Sequence, residues 1–323
     1  MALVYAGIDE AGFGPMLGPL CVGLAVLRVE DWAPGEPAPD LWVALESAVA
    51  RGVKGAGAKL PVADSKALKL PNSGKRHPLT HLERGCLSFL AAGGVPTPDD
   101  DAALFDVLGA QLASEPWYAG DATRVPVACD ADRLGIDGNL LAACLRDAGV
   151  SIAHLGCVAV AEPRFNEIVR DAGKGATTLG AIAEHVRTAR RCVNDGDEIR
   201  IVCDRLGGRT RYSRVLETLC PGGVVTPITE TDRGACYDVV DPGGAVRVIF
   251  QVEAEQAHMP VALASMLAKY VREMAMGRFN RYWSGRVEGL KPTAGYVADA
   301  RRWLSDAGDA VTPEERRAMV RLA

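Results

Sequence analysis

The chain has 323 residues, 48% of them hydrophobic, and a formal charge of −5 at pH 7; it can bury one elaborated core or two, and its sign excludes coating nucleic acid by bulk charge, though not a local basic groove. Apolar runs such as "PLCVGLAVL" at 19–27 fall short of the roughly 20 residues that span a bilayer, and no charged-then-apolar leader precedes the first strand-like run. Nine single cysteines without a C-x-x-C pair predict free thiols in a reducing compartment, and so a cytoplasmic protein.

The chain opens as strand, turn, strand: "ALVYAGID", then "EAGFGPMLG", then "PLCVGLAVLRV". From about residue 70 the pattern is harder to read. "LPNSGKRHPLTH" and "GGVPTPDDD" are polar breaks punctuated by Pro and Gly, while "DAALFDVLGAQLA" and "DGNLLAACLRDAG" read as amphipathic helices. This stretch is expected to be an elaboration, about 70–195, set into or beside the main sheet. "GAIAEHVRTARRCV" and "YSRVLETLC" predict helices, and strand-like runs return at "DEIRIVCD", "GGVVTPITE" and "AVRVIFQVEAE". A long helix is predicted through 259–283, with Val261, Ala264, Met266, Leu267, Val271 and Met274 on one apolar face. In "TPEERRAMVRL", Thr312 is a good N-cap, Pro313 suits the first turn, and Glu314 and Glu315 sit at the positive helix end. The division expected is a core over 1–255 with its elaboration, and a C-terminal helical region over 256–323 packed on it.

Several strands run straight into acids: Asp9 and Glu10 after the first, Asp204 after "IRIVC", and Glu253 and Glu255 after "VIFQV". One such acid is an ordinary polar strand end. Several could converge at one sheet edge, where mutual repulsion makes sense chiefly if a divalent cation neutralises it. Oxygen-only ligands suit Mg²⁺ or Mn²⁺, and paired ions of that kind hydrolyse phosphodiesters without a histidine base. Two basic windows could flank such chemistry: Arg205, Arg209, Arg211 and Arg214, and a segment over 269–291 with Phe279, Tyr282 and Trp283 interleaved. Taken alone, both read as solvated faces. A dinucleotide loop is set aside, because Gly12, Gly14 and Gly18 are spaced G-x-G-x-x-x-G, Pro15 and Pro19 interrupt them, and a strand follows.

"AGIDEAGFGPMLGPL", "ADSKAL" at 63–68, "VALASMLAKYVRE" at 261–273 and "AGYVADARRWL" at 294–304 resemble, in order, four motifs of the type 2 ribonucleases H, the ribonuclease HII and HIII group. The resemblance covers both ends of the chain and is weak between about 70 and 195. It implies an α/β fold, a ribonuclease H-like mixed β-sheet flanked by helices with a C-terminal helical extension. It also implies a metal-dependent endoribonuclease, using Mg²⁺ or Mn²⁺, that acts on the RNA strand of RNA–DNA hybrids or at ribonucleotides embedded in duplex DNA; a monomer is expected.

Asp9, Glu10 and Asp204 fall on the family's first three acidic positions. Glu255 falls on the fourth, where the family has aspartate; its reach is longer by about 1.5 Å, one carbon–carbon bond, and Glu253 is the reserve candidate. The family's glycine–arginine–glycine turn is Gly12-Phe13-Gly14 here. Its two glycines still permit close approach to a 2′-hydroxyl, and Phe13 could stack where the guanidinium is lost. Tyr296 resembles a sugar-packing tyrosine, Lys66 could meet a phosphate or a structural partner, and Arg205, Arg209 and the 269–291 segment could bind flanking phosphates. The alternative is a catalytically weak or inactive ribonuclease H-like nucleic-acid-binding protein, which the Glu255 and Phe13 departures would suit.

Overall fold

A computed structural model describes residues 1–72, 74–112, 115–207 and 209–322. Seven strands form the main sheet: β1 (Leu3–Ala11), β2 (Leu20–Val29), β3 (Val150–Val160), β4 (Glu198–Asp204), β5 (Val224–Glu230), β6 (Gly234–Asp241) and β7 (Gly244–Gln251). Their spatial order is β3-β2-β1-β4-β7-β6-β5. The central trio β1, β4 and β7 is parallel, and the outer strands pair antiparallel. The mixed sheet flanked by helices that the sequence predicts is therefore present.

Period-two alternation separates two apolar layers. Leu3, Tyr5, Cys21, Ala25 and Leu27 pack toward the long helix Met259–Arg286. Val4, Ala6, Ile8, Val22 and Leu24 pack toward the helices Gly175–Arg190 and Ser213–Leu219. The long helix differs from its expected one-faced pattern: from Met259 to Met276 nearly every residue is buried, including Ser265, Lys269 and Arg272. It lies between the sheet and the helix Thr80–Ala92, so no face of that half reaches water. Lys269 pairs with Glu273 at 2.8 Å, and Glu273 also takes Lys69 at 2.8 Å.

Two strand glycines let this helix touch the sheet backbone. A Cβ on Gly7 would stand 2.1 Å from the Pro260 carbonyl carbon, and one on Gly23 would stand 2.1 Å from the Ala264 carbonyl oxygen. That contact fixes the height of the helix above β1 and β2.

The 70–195 segment does more than decorate the sheet. It supplies β3, which pairs along the length of β2, besides the helices Asp101–Leu108 and Ala131–Asp147. Ala113 of the expected "DAALFDVLGAQLA" helix lies outside the described residues. Much of the 269–291 basic segment is engaged internally. Arg278 forks onto Asp101, Arg281 donates to the Thr123 hydroxyl and the Asp121 carbonyl, and Arg286 bridges to Glu315. The helix Pro313–Met319 opens on the expected cap, with Thr312 and Glu315 forming a reciprocal capping box. No helix among the described residues is long and apolar enough to cross a membrane.

Candidate active site

The site is built on the carboxyl ends of the three parallel strands. Ile8 of β1 lies opposite Cys203 of β4, so Asp9 and Asp204 continue the same register on neighbouring strands, which run about 4.8 Å apart. Ile8 and Cys203 face the other apolar layer, which places Asp9 and Asp204 together on the long-helix face. Asp204 in turn lies opposite Gln251, the last residue of β7. Beyond that point the chain departs from the expected continuous strand. Glu253 takes a left-handed conformation at φ 55°, and Ala254–Ala257 form a helical turn carrying Glu255. Glu253 is exposed, Glu255 is half-buried, and the Ala254 N–H donates to Asp204 Oδ1 at 3.4 Å.

The charges in this corner act on one another. Burial, the neighbouring Glu10 and then Asp204 push the Asp9 carboxyl well above the carboxylate range, while the Ser265 hydroxyl and the Glu10 N–H pull it back. Glu10 is raised to about 7 by burial and by Asp204, against the opposing Lys66 charge. Asp204 is raised by burial, held down by the Ala254 and Arg205 N–H groups and by Lys66, and raised again by Asp64. Glu255 is raised by burial and by Asp204 and Asp64. Asp64, which the sequence reading did not nominate, caps the short helix Ser65–Leu68 by accepting from the Lys66 N–H at 3.1 Å. Ser65 contacts Ser265 of the long helix at 3.0 Å between hydroxyls, fixing the D-S-K segment beside Asp9.

The donor set consists of carboxylate oxygens that repel one another, with Lys66 as the opposing cation, and that chemistry fits a hard divalent ion. Among the described residues, however, no three or more Asp, Glu, His or Cys side chains are grouped so that they could already hold a metal ion. The fit lies in the kind of donor and in backbone placement.

The glycine turn follows directly from Glu10. Gly12 has φ 93°, and a Cβ there would stand 2.4 Å from Arg272 Nε; only glycine suits that position. Phe13 and Gly14 are exposed, and the Lys174 ammonium stands 5.1 Å from the Phe13 ring centroid, within cation–π range. The turn is tied to the G-Y segment, where the Gly295 carbonyl accepts from Met16 at 2.8 Å and Leu17 at 3.2 Å. Tyr296 beside it is 51% exposed, its ring 5.8 Å from the Arg272 guanidinium.

Arg205 Nε donates to the Arg209 carbonyl at 2.7 Å and its Nη1 to the Asp232 carbonyl, so its guanidinium shapes the loop after Asp204. Arg209 is exposed beside the start of the helix Gly175–Arg190, where its Nη2 would stand 3.9 Å from a Cβ on Gly175. Gly208 between them lies outside the described residues.

Lys174, Arg272 and Arg321 surround the turn and were not singled out from the sequence as its neighbours. Lys174 sits in a stretch without a motif, and Arg321 sits just past the capped helix, where the capping signal says nothing of its partners. Arg272 lies within one, but its spacing in a basic window suggested solvent exposure, whereas it has no exposed surface.

No family model matches the chain, and no curated protein sequence matches it. Several solved structures are similar. The ribonuclease HII of a PCNA:RNase HII complex from Archaeoglobus fulgidus aligns over 99% of this chain and 94% of its own, at 16% identity and a TM-score of 0.47. The ribonuclease H2 of Pyrococcus horikoshii aligns over 95% and 86%, at 14% identity and a TM-score of 0.42. A Bst-RNase HIII in complex with Mn²⁺ aligns over 99% and 66%, at 15% identity and a TM-score of 0.44.

Proposed function

We propose that this chain is a divalent-metal-dependent endonuclease of the ribonuclease H type, cutting the RNA strand of RNA–DNA hybrids or cutting at ribonucleotides embedded in duplex DNA. One observation carries the reading. Parallel register sets Asp9 beside Asp204 at the ends of β1 and β4, and Glu10, Asp64 and Glu255 lie close enough to raise or be raised by their neighbours' charge. A fold gains nothing from stacking like charges in a half-buried corner unless a cation or a reaction uses them. The four motifs, met in order, supply the reaction class.

Asp9, Glu10, Asp204 and Glu255 are the residues that would hold Mg²⁺ or Mn²⁺. When bound, such ions supply an activated water and charge stabilisation at the departing oxygen. The protein's own groups do the remaining work. The Ala254 N–H orients the Asp204 carboxylate, and the Arg205 N–H, by donating to the Gln251 carbonyl at 2.9 Å, holds the β4 end against β7. The Glu10 N–H, which meets Asp9 Oδ1 at 2.8 Å, orients Asp9. Phe13 and Tyr296 offer exposed rings to bases or sugars, and Lys66, Lys174 and Arg209 offer cations to flanking phosphates. The protein would act as a monomer in the cytoplasm, where its nine free thiols are stable.

A second reading, binding without cutting, is favoured by the position of Glu255 on a helical turn rather than on the strand itself. Incubation with Mg²⁺ or Mn²⁺ and two labelled duplexes, one RNA–DNA hybrid and one DNA carrying a single ribonucleotide, separates the two. Metal-dependent cuts leaving 5′-phosphate and 3′-hydroxyl ends support the nuclease. Duplex affinity with neither substrate cut supports the binder.

A further inference from the structure

The glycine turn cannot hold its own shape. Gly12, Gly14 and Gly18 give it backbone freedom, and Pro15 and Pro19 remove two N–H donors. Its outer donors are free: among the described residues, the N–H groups of Phe13 and Gly14 meet no acceptor. Besides the Gly295 carbonyl and Arg272, whose Nη2 donates to the Leu17 carbonyl at 3.2 Å, the turn is fixed from the far end of the chain. The Arg321 guanidinium, 5% exposed, donates to the carbonyls of Gly12, Phe13 (2.9 Å) and Gly18 (3.3 Å), and the Arg321 N–H donates to the Met16 carbonyl at 2.9 Å. Its flat face covers the Phe165 ring at 3.8 Å.

The strut is itself held. Asn166 accepts from the Leu322 N–H at 2.7 Å and donates to the Val320 carbonyl at 2.9 Å. On the other side of the turn, buried Glu162 accepts from the Gly18 N–H at 3.1 Å and from the Tyr118 hydroxyl at 2.9 Å. Burial and the nearby Arg272 charge weaken the hold of Arg321 on its proton, to about 10, so it stays charged at neutral pH. Burying that cation costs free energy which its carbonyl acceptors must offset.

We infer that Arg321 is a positioning residue for nucleic acid: by drawing three turn carbonyls inward it presents the Phe13 and Gly14 N–H groups and the Phe13 ring outward as a preformed contact for the sugar–phosphate backbone. A turn ordered in advance spares the binding step that entropy. The inference rests on the nuclease reading for its substrate and stands apart from it for its structure.

The experiment therefore has two arms. Hydrogen exchange, with no nucleic acid present, compares the wild type with Arg321→Gln and Arg321→Lys. The Met16, Leu17 and Gly18 amides should exchange at least about tenfold faster in Arg321→Gln, a loss of about 1.4 kcal/mol, with Ala6, Gly7 and Ile8 unchanged and Arg321→Lys in between. Steady-state cleavage of the duplex that the wild type cuts should show KM raised about tenfold with kcat nearly preserved, and partly restored by lysine. Unchanged exchange in the turn, an equal rise in β1, or a fall in kcat at constant KM each overturns the inference. A wild type that neither binds nor cuts duplex defeats the nuclease reading instead, and the exchange arm still decides whether Arg321 holds the turn.

Discussion

Asp9 and Asp204 continue one register where the pairing of neighbouring parallel strands stops, 195 positions apart in sequence. Beside the effect of burial, Asp204 raises the proton affinity of Asp9 and Glu10, and Glu10 raises that of Asp9. An ionised cluster of this kind opposes folding, and the opposition disappears when a cation binds the folded state alone.

The first prediction follows from that balance. Millimolar Mg²⁺ or Mn²⁺ should raise the wild-type melting midpoint by at least about 2 °C, and excess chelator should reverse the shift. Asp9→Asn should melt above the wild type in chelator, because a carboxyl that burial and its neighbours hold back from ionising is gone, should gain nothing from metal, and should lose at least about a hundredfold in cleavage. Differential scanning fluorimetry beside a gel assay reads all three. An equal metal shift in Asp9→Asn would take that residue out of the proposed ligand set.

A second prediction separates the two candidate glutamates. Glu255 is half-buried and raised by burial, Asp204 and Asp64, whereas Glu253 is exposed in a left-handed backbone conformation. Glu255→Gln should lower kcat by about a hundredfold or more, and Glu253→Gln should leave it within about twofold, as surface substitutions usually do. Single-turnover cleavage with saturating enzyme is the measurement, and a reversed order would move the fourth ligand to Glu253.

Much of this site is legible in the sequence because its acids sit where apolar alternation stops. "YAGIDE" and "IRIVCD" announce strand ends with no tertiary information, and "TPEER" announces a capped helix. The departures have local causes. The β7 strand stops at Gln251 because Glu253 turns left-handed, which no glycine or asparagine signals. The β3 strand, Val150–Val160, hides in a segment without motifs, although its pairing with β2 is as long as any in the sheet. The environment of Arg272 and Arg321 is invisible for a different reason. A guanidinium in a basic window looks solvated until long-range packing surrounds it, and the carbonyls that satisfy Arg321 lie about 300 residues away.

The third prediction concerns the surface beside the turn. Phe13→Ala should weaken duplex binding about tenfold, the scale of one lost stacking contact. Lys174→Ala should weaken it nearly equally for all sequences and reduce the slope of log affinity against log salt by about 1. Fluorescence anisotropy in chelator, over a salt series, reads both without turnover. A salt slope unchanged in Lys174→Ala would mean that its ammonium serves the Phe13 ring and the fold and makes no phosphate contact.

The last prediction tests the packing behind the sheet through pH. His185, on the helix Gly175–Arg190, is buried with Nε2 2.8 Å from the Val22 carbonyl. Burial brings it down to about 4 despite that contact, with the nearby His154 adding to the effect, whereas the unfolded chain titrates near 6.5. As pH falls below about 6.5 the unfolded state takes up the proton first, so His185 contributes its full stability above that value and loses it as pH falls through about 4. The gap corresponds to about 3 kcal/mol. Glu10 has the opposite sign, because its folded value of about 7 lies above its ordinary 4.5: its contribution is full below about 4.5 and is lost as pH rises through about 7. The two partly cancel in the wild type, so the observable is the difference between wild type and His185→Gln in urea midpoints at pH 4.5 and pH 7. The glutamine should be less sensitive to acid across that window, and parallel curves would show that His185 titrates alike in the folded and unfolded chain.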